Sequence, residues 1–215
     1  TILIEECGEE MEVLDEKEFL IEPMYFNLGY SLDKEMRARK TVIEKLREAE
    51  KYLQSLRPGW RLKIWDAFRT AKVQKILFDN YYEILKKEHL DWTHEQLCEA
   101  DDIFVSPPSH DPKSPSPHNT GGAVDLTLVD ENGKEVEMGS KFDEFHEKSF
   151  TDFHKDSVKP AEKKFHENRQ LFIKVMDHAC FINYYGEWWH FSYGDQFYTY
   201  MKGEKLARYG SVELE

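Results

Sequence analysis

Ser116-Pro-His-Asn-Thr-Gly-Gly-Ala-Val-Asp125 sets a histidine and an aspartate seven residues apart. Gly186-Glu-Trp-Trp-His-Phe191 adds a second histidine, His190, 65 residues beyond Asp125. Two imidazoles and a carboxylate are the nitrogen and oxygen donors of a catalytic zinc, which keeps its fourth position for water. Bound in that way, zinc lowers the pKa of the water to about 7 and polarises a carbonyl. Glu187, three residues before His190, is placed to take the proton of that water and return it to a leaving amine. Arg69, a permanently charged fork of donors, suits the negative oxygen that forms when an amide is attacked. The set reads as a hydrolase and not as a structural zinc clip.

Taken singly, each residue has an ordinary explanation. A histidine in an aromatic strand is usually a hydrogen-bonded core residue, and an isolated Arg69 is usually an ion-pair partner. Asp125 alone caps a turn, and Trp188-Trp189 alone is hydrophobic core. Only their joint occurrence carries the metal reading.

The spacing constrains the elements that must hold these groups. Seven is an odd interval, so on one straight strand His118 and Asp125 would face opposite ways. Gly121-Gly122 supplies the break, leaving His118 on an incoming loop and Asp125 on a strand over 123–129, with Val124, Leu126 and Leu128 on its apolar face. Glu187 and His190 would likewise diverge unless Gly186 bends or bulges the chain between strands over 181–185 and 188–193. Residues 61–68 alternate as a strand that delivers Arg69 to its end, and Thr70 caps a helix whose core face is Val73, Ile76, Leu77, Tyr81, Ile84 and Leu85.

Residues 1–32 read as an irregular arm that packs on the domain and carries Tyr25 in an aromatic stretch. A helix is expected from Asp33, as its cap, through Met36, Val42, Ile43, Leu46, Ala49, Leu53 and Leu56 to the stop at Pro58-Gly59. Five prolines between 101 and 117 make a loop leading into the motif. Asp130-Glu-Asn-Gly133 reads as a hairpin turn, 138–159 as a lid or substrate loop, and Pro160 as the start of a helix burying Phe165, Leu171, Phe172, Val175, Met176 and Ala179.

At 215 residues the chain fits one domain spanning 1–215, large enough to bury a core without disulfides. The expected class is α+β, a central, mostly antiparallel sheet flanked by helices with the metal at one edge of the sheet. Acidic residues outnumber basic ones by 42 to 29, and the net charge of -13 argues against nucleic acid as a partner. Cys7, Cys98 and Cys180 form no CxxC pair, which favours a reducing, cytoplasmic setting. No segment has the length of a membrane span. The chain begins at Thr1 and not at Met, so a periplasmic or exported location stays open if a leader preceded it.

Ser116-x-His118-x-x-Gly121-x-Ala123-x-Asp125, Glu187-x-Trp189-His190-Phe191 and Arg69 within Trp65-Asp-Ala-Phe-Arg69 together resemble the zinc D-alanyl-D-alanine dipeptidases of the VanX type, within the wider D-Ala-D-Ala peptidase and Hedgehog-like fold. The resemblance runs from about Tyr25 to Tyr193. It implies one zinc per chain on His118, Asp125 and His190, Glu187 as base and Arg69 as stabiliser of the transition state. It further implies Asp143, in Met138-Gly-Ser-Lys-Phe-Asp143, at the free amino group of a dipeptide, Ser116 near its carboxylate and Tyr25 at its amino end. The expected reaction is hydrolysis of the cell-wall precursor dipeptide D-Ala-D-Ala. A carboxypeptidase or endopeptidase acting on muropeptides and a noncatalytic zinc-binding module are the alternatives, the last disfavoured by Glu187 and Arg69. Oligomeric state has no signal in the sequence.

Overall fold

The computed structural model describes residues 2–101 and 103–213. Its first half runs β1 (Leu3–Ile4), β2 (Met11–Val13), β3 (Leu20–Ile21), α1 (Met24–Asn27), β4 (Arg37–Arg39), α2 (Lys40–Leu56), β5 (Arg61–Asp66), α3 (Ala71–Glu88) and α4 (His94–Asp101). A 3-10 turn at Pro117–Thr120 leads into β6 (Ala123–Val129), and a second at Glu147–Ser149 precedes α5 (Pro160–His178), β7 (Ile182–Asn183), β8 (His190–Ser192), α6 (Gln196–Met201) and β9 (Leu206–Ala207).

Five strands form the main sheet in the order β3-β5-β6-β8-β7, with β3 parallel to β5 and the remaining pairs antiparallel. The expected α+β architecture with a mostly antiparallel sheet is what the chain adopts. Strand β6 is its middle, and all seven of its residues are buried. The alternation read from the sequence is therefore real, but the polar face of Asp125 and Thr127 is covered as fully as the apolar one. Val124, Leu126 and Leu128 join Val42, Ile43, Leu46, Ala49 and Leu53 of α2 and Phe172, Val175 and Met176 of α5 in the principal core. Apart from Ala49, each such side chain contributes roughly 1.5–3 kcal/mol by leaving water. A smaller cluster gathers Tyr25, Val73, Leu77, Tyr81, Leu85, Leu97 and Val105.

The first long helix starts later than its apolar periodicity suggests. Arg37–Arg39 pair antiparallel with Met11–Val13, so the backbone before Lys40 is committed to a ladder, and Asp33 accepts from Glu35 N and Arg37 instead of capping α2. Thr70 does cap α3, accepting from Val73 N at 3.3 Å. Ile84, expected on the core face of α3, is instead exposed, and Gln74 is buried there. The 138–159 stretch is tied down and not a free flap. Arg169 of α5, fully buried, donates to the carbonyls of Met138, Phe150 and Lys148 at 2.6–2.7 Å. Among the described residues no helix is long and apolar enough to cross a membrane.

Candidate metal centre and substrate cavity

Cross-strand register assembles half of the site. An irregularity in β5 between Ile64 and Asp66 brings Asp66 opposite Asp125 of β6, and Asp125 in turn lies opposite His190 of β8. Three polar residues thus stand in one row across the middle strands, so the site lies over the centre of the sheet and not at its outer edge. The expected edge position fails because β6, which carries Asp125, has partners on both sides.

The remaining histidine arrives by the predicted glycine break. Gly121 closes the first 3-10 turn at φ +72, where only glycine is unstrained, and a side chain on Gly122 would meet the Tyr193 carbonyl at 2.5 Å. Gly186 stands in the turn between β7 and β8, where Glu187 N donates to Tyr184 O and His190 N to Glu187 O. That turn brings a Glu187 carboxylate oxygen within 3.8 Å of His190 Nδ1.

The donor atoms of His118, Asp125 and His190 all lie within 4.8 Å of one another, and all three residues are buried. His118 Nε2 is 3.1 Å from His190 Nδ1 and 3.2 Å from an Asp125 oxygen, and His190 Nδ1 is 3.0 Å from the other Asp125 oxygen. His118 Nδ1 faces the Ala67 carbonyl at 2.7 Å, a contact that takes the N–H of a neutral ring and leaves the Nε2 lone pair facing inward. His190 Nε2 faces the Ser192 hydroxyl at 3.4 Å. Tetrahedral bonds of about 2.0–2.2 Å place donors about 3.3 Å apart, so the set fits a zinc ion. Burial opposes the Asp125 charge, yet the adjacent histidines outweigh it and hold the carboxyl well below the usual range.

Arg69 is buried and held on every side. Its Nε donates to Asp66 at 2.9 Å, one terminal nitrogen to Gln74 Oε1 at 2.9 Å, and the other to Tyr25 Oη and Asp125 at 3.2 Å each. Its guanidinium also lies 4.6 Å from the centre of the Tyr25 ring. Burial disfavours the cation, but the negative groups around it, Asp66, Asp125 and Asp143 among them, keep it firmly charged. Tyr25 passes the chain of contacts on, donating to Asp143 at 3.0 Å. Asp143 has φ +54, a left-handed conformation that aspartate tolerates better than most residues. Burial pushes its carboxyl up to about 7, with Arg69 and Tyr25 opposing. Glu187 is pushed well above the ordinary carboxylate range by burial and by the charges of Asp125 and Asp143.

All eight residues singled out from the sequence, His118, Asp125, His190, Glu187, Arg69, Asp143, Ser116 and Tyr25, line one cavity of about 220 Å³. Its other walls are largely apolar, with Phe104, Phe145, Tyr184 and Phe197 among them. Sequence reasoning missed Asp66 and Gln74, the two groups that orient Arg69. Gln74 had a signal: it falls three and seven residues before Leu77 and Tyr81, a polar residue on an apolar stripe. Asp66 had none, because its role follows from the irregularity in β5.

Residues 29–204 match the Peptidase_M15 family, described as D-ala-D-ala dipeptidase. A D-alanyl-D-alanine dipeptidase of Synechocystis sp. is 30% identical over 194 residues, covering 81% of this chain and 78% of the relative. One from Escherichia coli is 35% identical over 133 residues, covering 62% of this chain and 55% of the relative. Among solved structures, VanYB in complex with D-alanine-D-alanine has a TM-score of 0.51 at 14% identity, covering 95% of this chain and 92% of that one. A zinc complex of a mutant of the vancomycin resistance D,D-pentapeptidase VanY has a TM-score of 0.50 at 15% identity, with 96% and 94% covered. At these identities the likeness to solved structures concerns the fold.

Proposed function

The chain belongs to the Peptidase_M15 family and is a peptidase, and from that premise we propose that it hydrolyses the free dipeptide D-Ala-D-Ala with one zinc ion held by His118, Asp125 and His190. Zinc, when bound, supplies Lewis-acid polarisation of the scissile carbonyl and acidifies a water. The chain's own groups do the rest. Glu187 takes a proton from the attacking water and delivers it to the leaving amine, a task suited to a carboxyl whose proton affinity burial and neighbouring anions have raised. Arg69, fixed by Asp66 and Gln74, presents its charge to the oxygen that becomes negative. Ser116, which lines the same cavity, is assigned to the substrate carboxylate.

One observation carries the preference for a free dipeptide: the half-buried Asp143 carboxylate, which accepts from Tyr25, lines the same cavity as the three donors. A substrate ammonium answers that charge, while an acylated nitrogen on a longer chain leaves it without a cationic partner in the cavity. The dipeptidase names of the sequence relatives support the same reading. A carboxypeptidase or endopeptidase acting on muropeptides is the second reading, and the D,D-pentapeptidase VanY, at 15% identity, shares the fold alone.

The test is a panel of free D-Ala-D-Ala, N-acetyl-D-Ala-D-Ala, D-Ala-L-Ala and L-Ala-L-Ala with zinc-loaded protein. Release of D-alanine from the free dipeptide and little from its acetylated form is the expected result. The reverse preference overturns the reading in favour of a carboxypeptidase. Bound zinc without hydrolysis of any peptide makes the centre a binding module.

A further inference from the structure

The turn that carries His118 is held from behind by both ends of the described chain. Strand β1 pairs parallel with β9, and Glu5 N and Cys7 N extend that pairing to Ala207 O and Arg208 O. Farther along, Val212 N donates to Asn119 O at 2.9 Å, and Asn119 Nδ2 returns a bond to Val212 O at 3.3 Å. The same amide also reaches the Arg69 carbonyl at 3.3 Å. Met11 packs so closely on Gly121 that a side chain there would meet its sulfur at 2.6 Å.

Arg39 joins these segments. Only 4% exposed, it uses all five of its donors: Nε to Thr120 O at 2.9 Å, Nη1 to Glu6 Oε1 at 3.0 Å and Glu9 O at 2.6 Å, and Nη2 to Glu6 Oε2 at 2.9 Å and Gly210 O at 3.3 Å. Its own amide donates to Gly121 O at 3.0 Å, and its guanidinium lies 5.0 Å from the centre of the Tyr209 ring. Glu6 completes the circuit by accepting from Gly210 N at 2.6 Å. Five carbonyl or carboxylate oxygens from three separate stretches of chain thus meet on one cation, and one of those stretches is the ligand-bearing turn.

We propose that the segments around 3–13 and 205–213, locked together through Arg39, are a positioning clamp that fixes the Pro117–Thr120 turn and thereby sets how tightly His118 holds a metal ion. Both segments lie outside residues 29–204, which carry the family match. The proposal rests on the metal reading given above. Arg39 is not among the residues that line the cavity. It acts by denying the turn alternative positions, because Thr120 O, Glu9 O and Gly210 O would lose their common donor together. Partners that orient a ligand in this way typically control metal affinity by about 10- to 100-fold.

The test compares Arg39→Met with Glu50→Gln in the full chain. The control breaks the pairing of Glu50 with Arg61 and Leu62 N, at the opposite end of β5 from Asp66. Zinc affinity is measured by competition with a chelator, and amide hydrogen exchange is followed at Asn119 and Gly121. Arg39→Met is expected to bind zinc about 10- to 100-fold more weakly and to exchange those amides faster, while Glu50→Gln at the same folded fraction stays within about twofold of the parent. Parental affinity and exchange in folded Arg39→Met would overturn the clamp. If Arg39→Met does not fold, Glu6→Gln decides, with a several-fold loss expected and no change counting against. If the parent binds no zinc, the metal reading falls, and the exchange data still judge the clamp.

Discussion

The cavity has two sides, and they are built by different means. On one side His190 and Asp125 stand on β8 and β6 in the middle of the sheet, backed by the principal core, and His118 stands on a braced turn. On the other, Asp143, Phe145, Tyr25 and residues 103–106 come from α1 and irregular segments that rest partly on the smaller cluster. Their carboxylates register the difference. Asp125, between two histidines, is held far below the usual range, whereas Asp143 is pushed up to about 7. A charge whose partners are built in is stable before anything binds. A charge with fewer built-in partners is a place for a cation to come from outside, and the ammonium of a dipeptide is such a cation. In the proposed mechanism chemistry falls to the sheet side and selection to the side made of loops, the usual division between scaffold and recognition.

The largest expected effect falls beside the three donors, in the turn between β7 and β8. Glu187→Ala removes the proposed proton carrier and leaves the three donor side chains in place, so zinc stoichiometry is expected to stay at the parental level while kcat falls by about 10²- to 10⁴-fold. Metal content and steady-state turnover measured on one preparation check it. Near-parental turnover would take Glu187 out of the mechanism and leave this side of the cavity with metal binding alone.

An intermediate effect is expected across the cavity. Asp143→Asn keeps the size of the side chain and its capacity to accept from Tyr25 but deletes the charge. The expected result is a rise in KM for free D-Ala-D-Ala by roughly 10-fold or more, as a charge-assisted contact of about 1.5–3 kcal/mol is lost. The preference for free over N-acetylated dipeptide should shrink with it, while kcat moves much less. A variant that lost kcat and kept KM would place Asp143 with the chemistry and erase the distinction between the two sides.

The division also explains what could be read from the chain. His118, Asp125, Glu187 and His190 were legible because reactive residue types cluster within a few positions and glycines mark where the backbone must turn. Strand β6 was legible because alternation is local. Strand β4 was not, since Arg37–Arg39 form a strand only against Met11–Val13 and the local apolar period extends a helix through them. Arg39 was invisible for the same reason, its five acceptors being contributed by residues up to 171 positions away. Asp66 depends on a shift in pairing register that no local pattern announces. Long-range pairing, and not side-chain chemistry, is what the one-dimensional reading lacked.

The smallest effect concerns the loop side and its support. His154 is 4% exposed, and neither ring nitrogen has a hydrogen-bond partner, with Glu162 the nearest carboxylate at 3.9 Å. The ring packs edge-on to Phe153 and Phe165 and fills the space a side chain at Gly139 would need, four residues before Asp143. Burial lowers its pKa, Arg169 and Lys148 add to the effect, and Glu162 opposes them. In the unfolded chain the ring titrates near its ordinary value of about 6.5, so between the two values the unfolded state binds more protons. Stability from this group is therefore fully present above about pH 6.5 and is lost as the pH falls toward the folded value, with a slope no steeper than about 1.4 kcal/mol per pH unit. His154→Phe, which cannot titrate, is expected to flatten that part of the curve in urea unfolding at a series of pH values between about 5 and 7.5. Hydrogen exchange under the same conditions should show the 139–154 segment opening on acidification before β6 does. Equal opening of both would mean that the two sides of the cavity unfold as one unit, and that their difference in construction carries no difference in local stability.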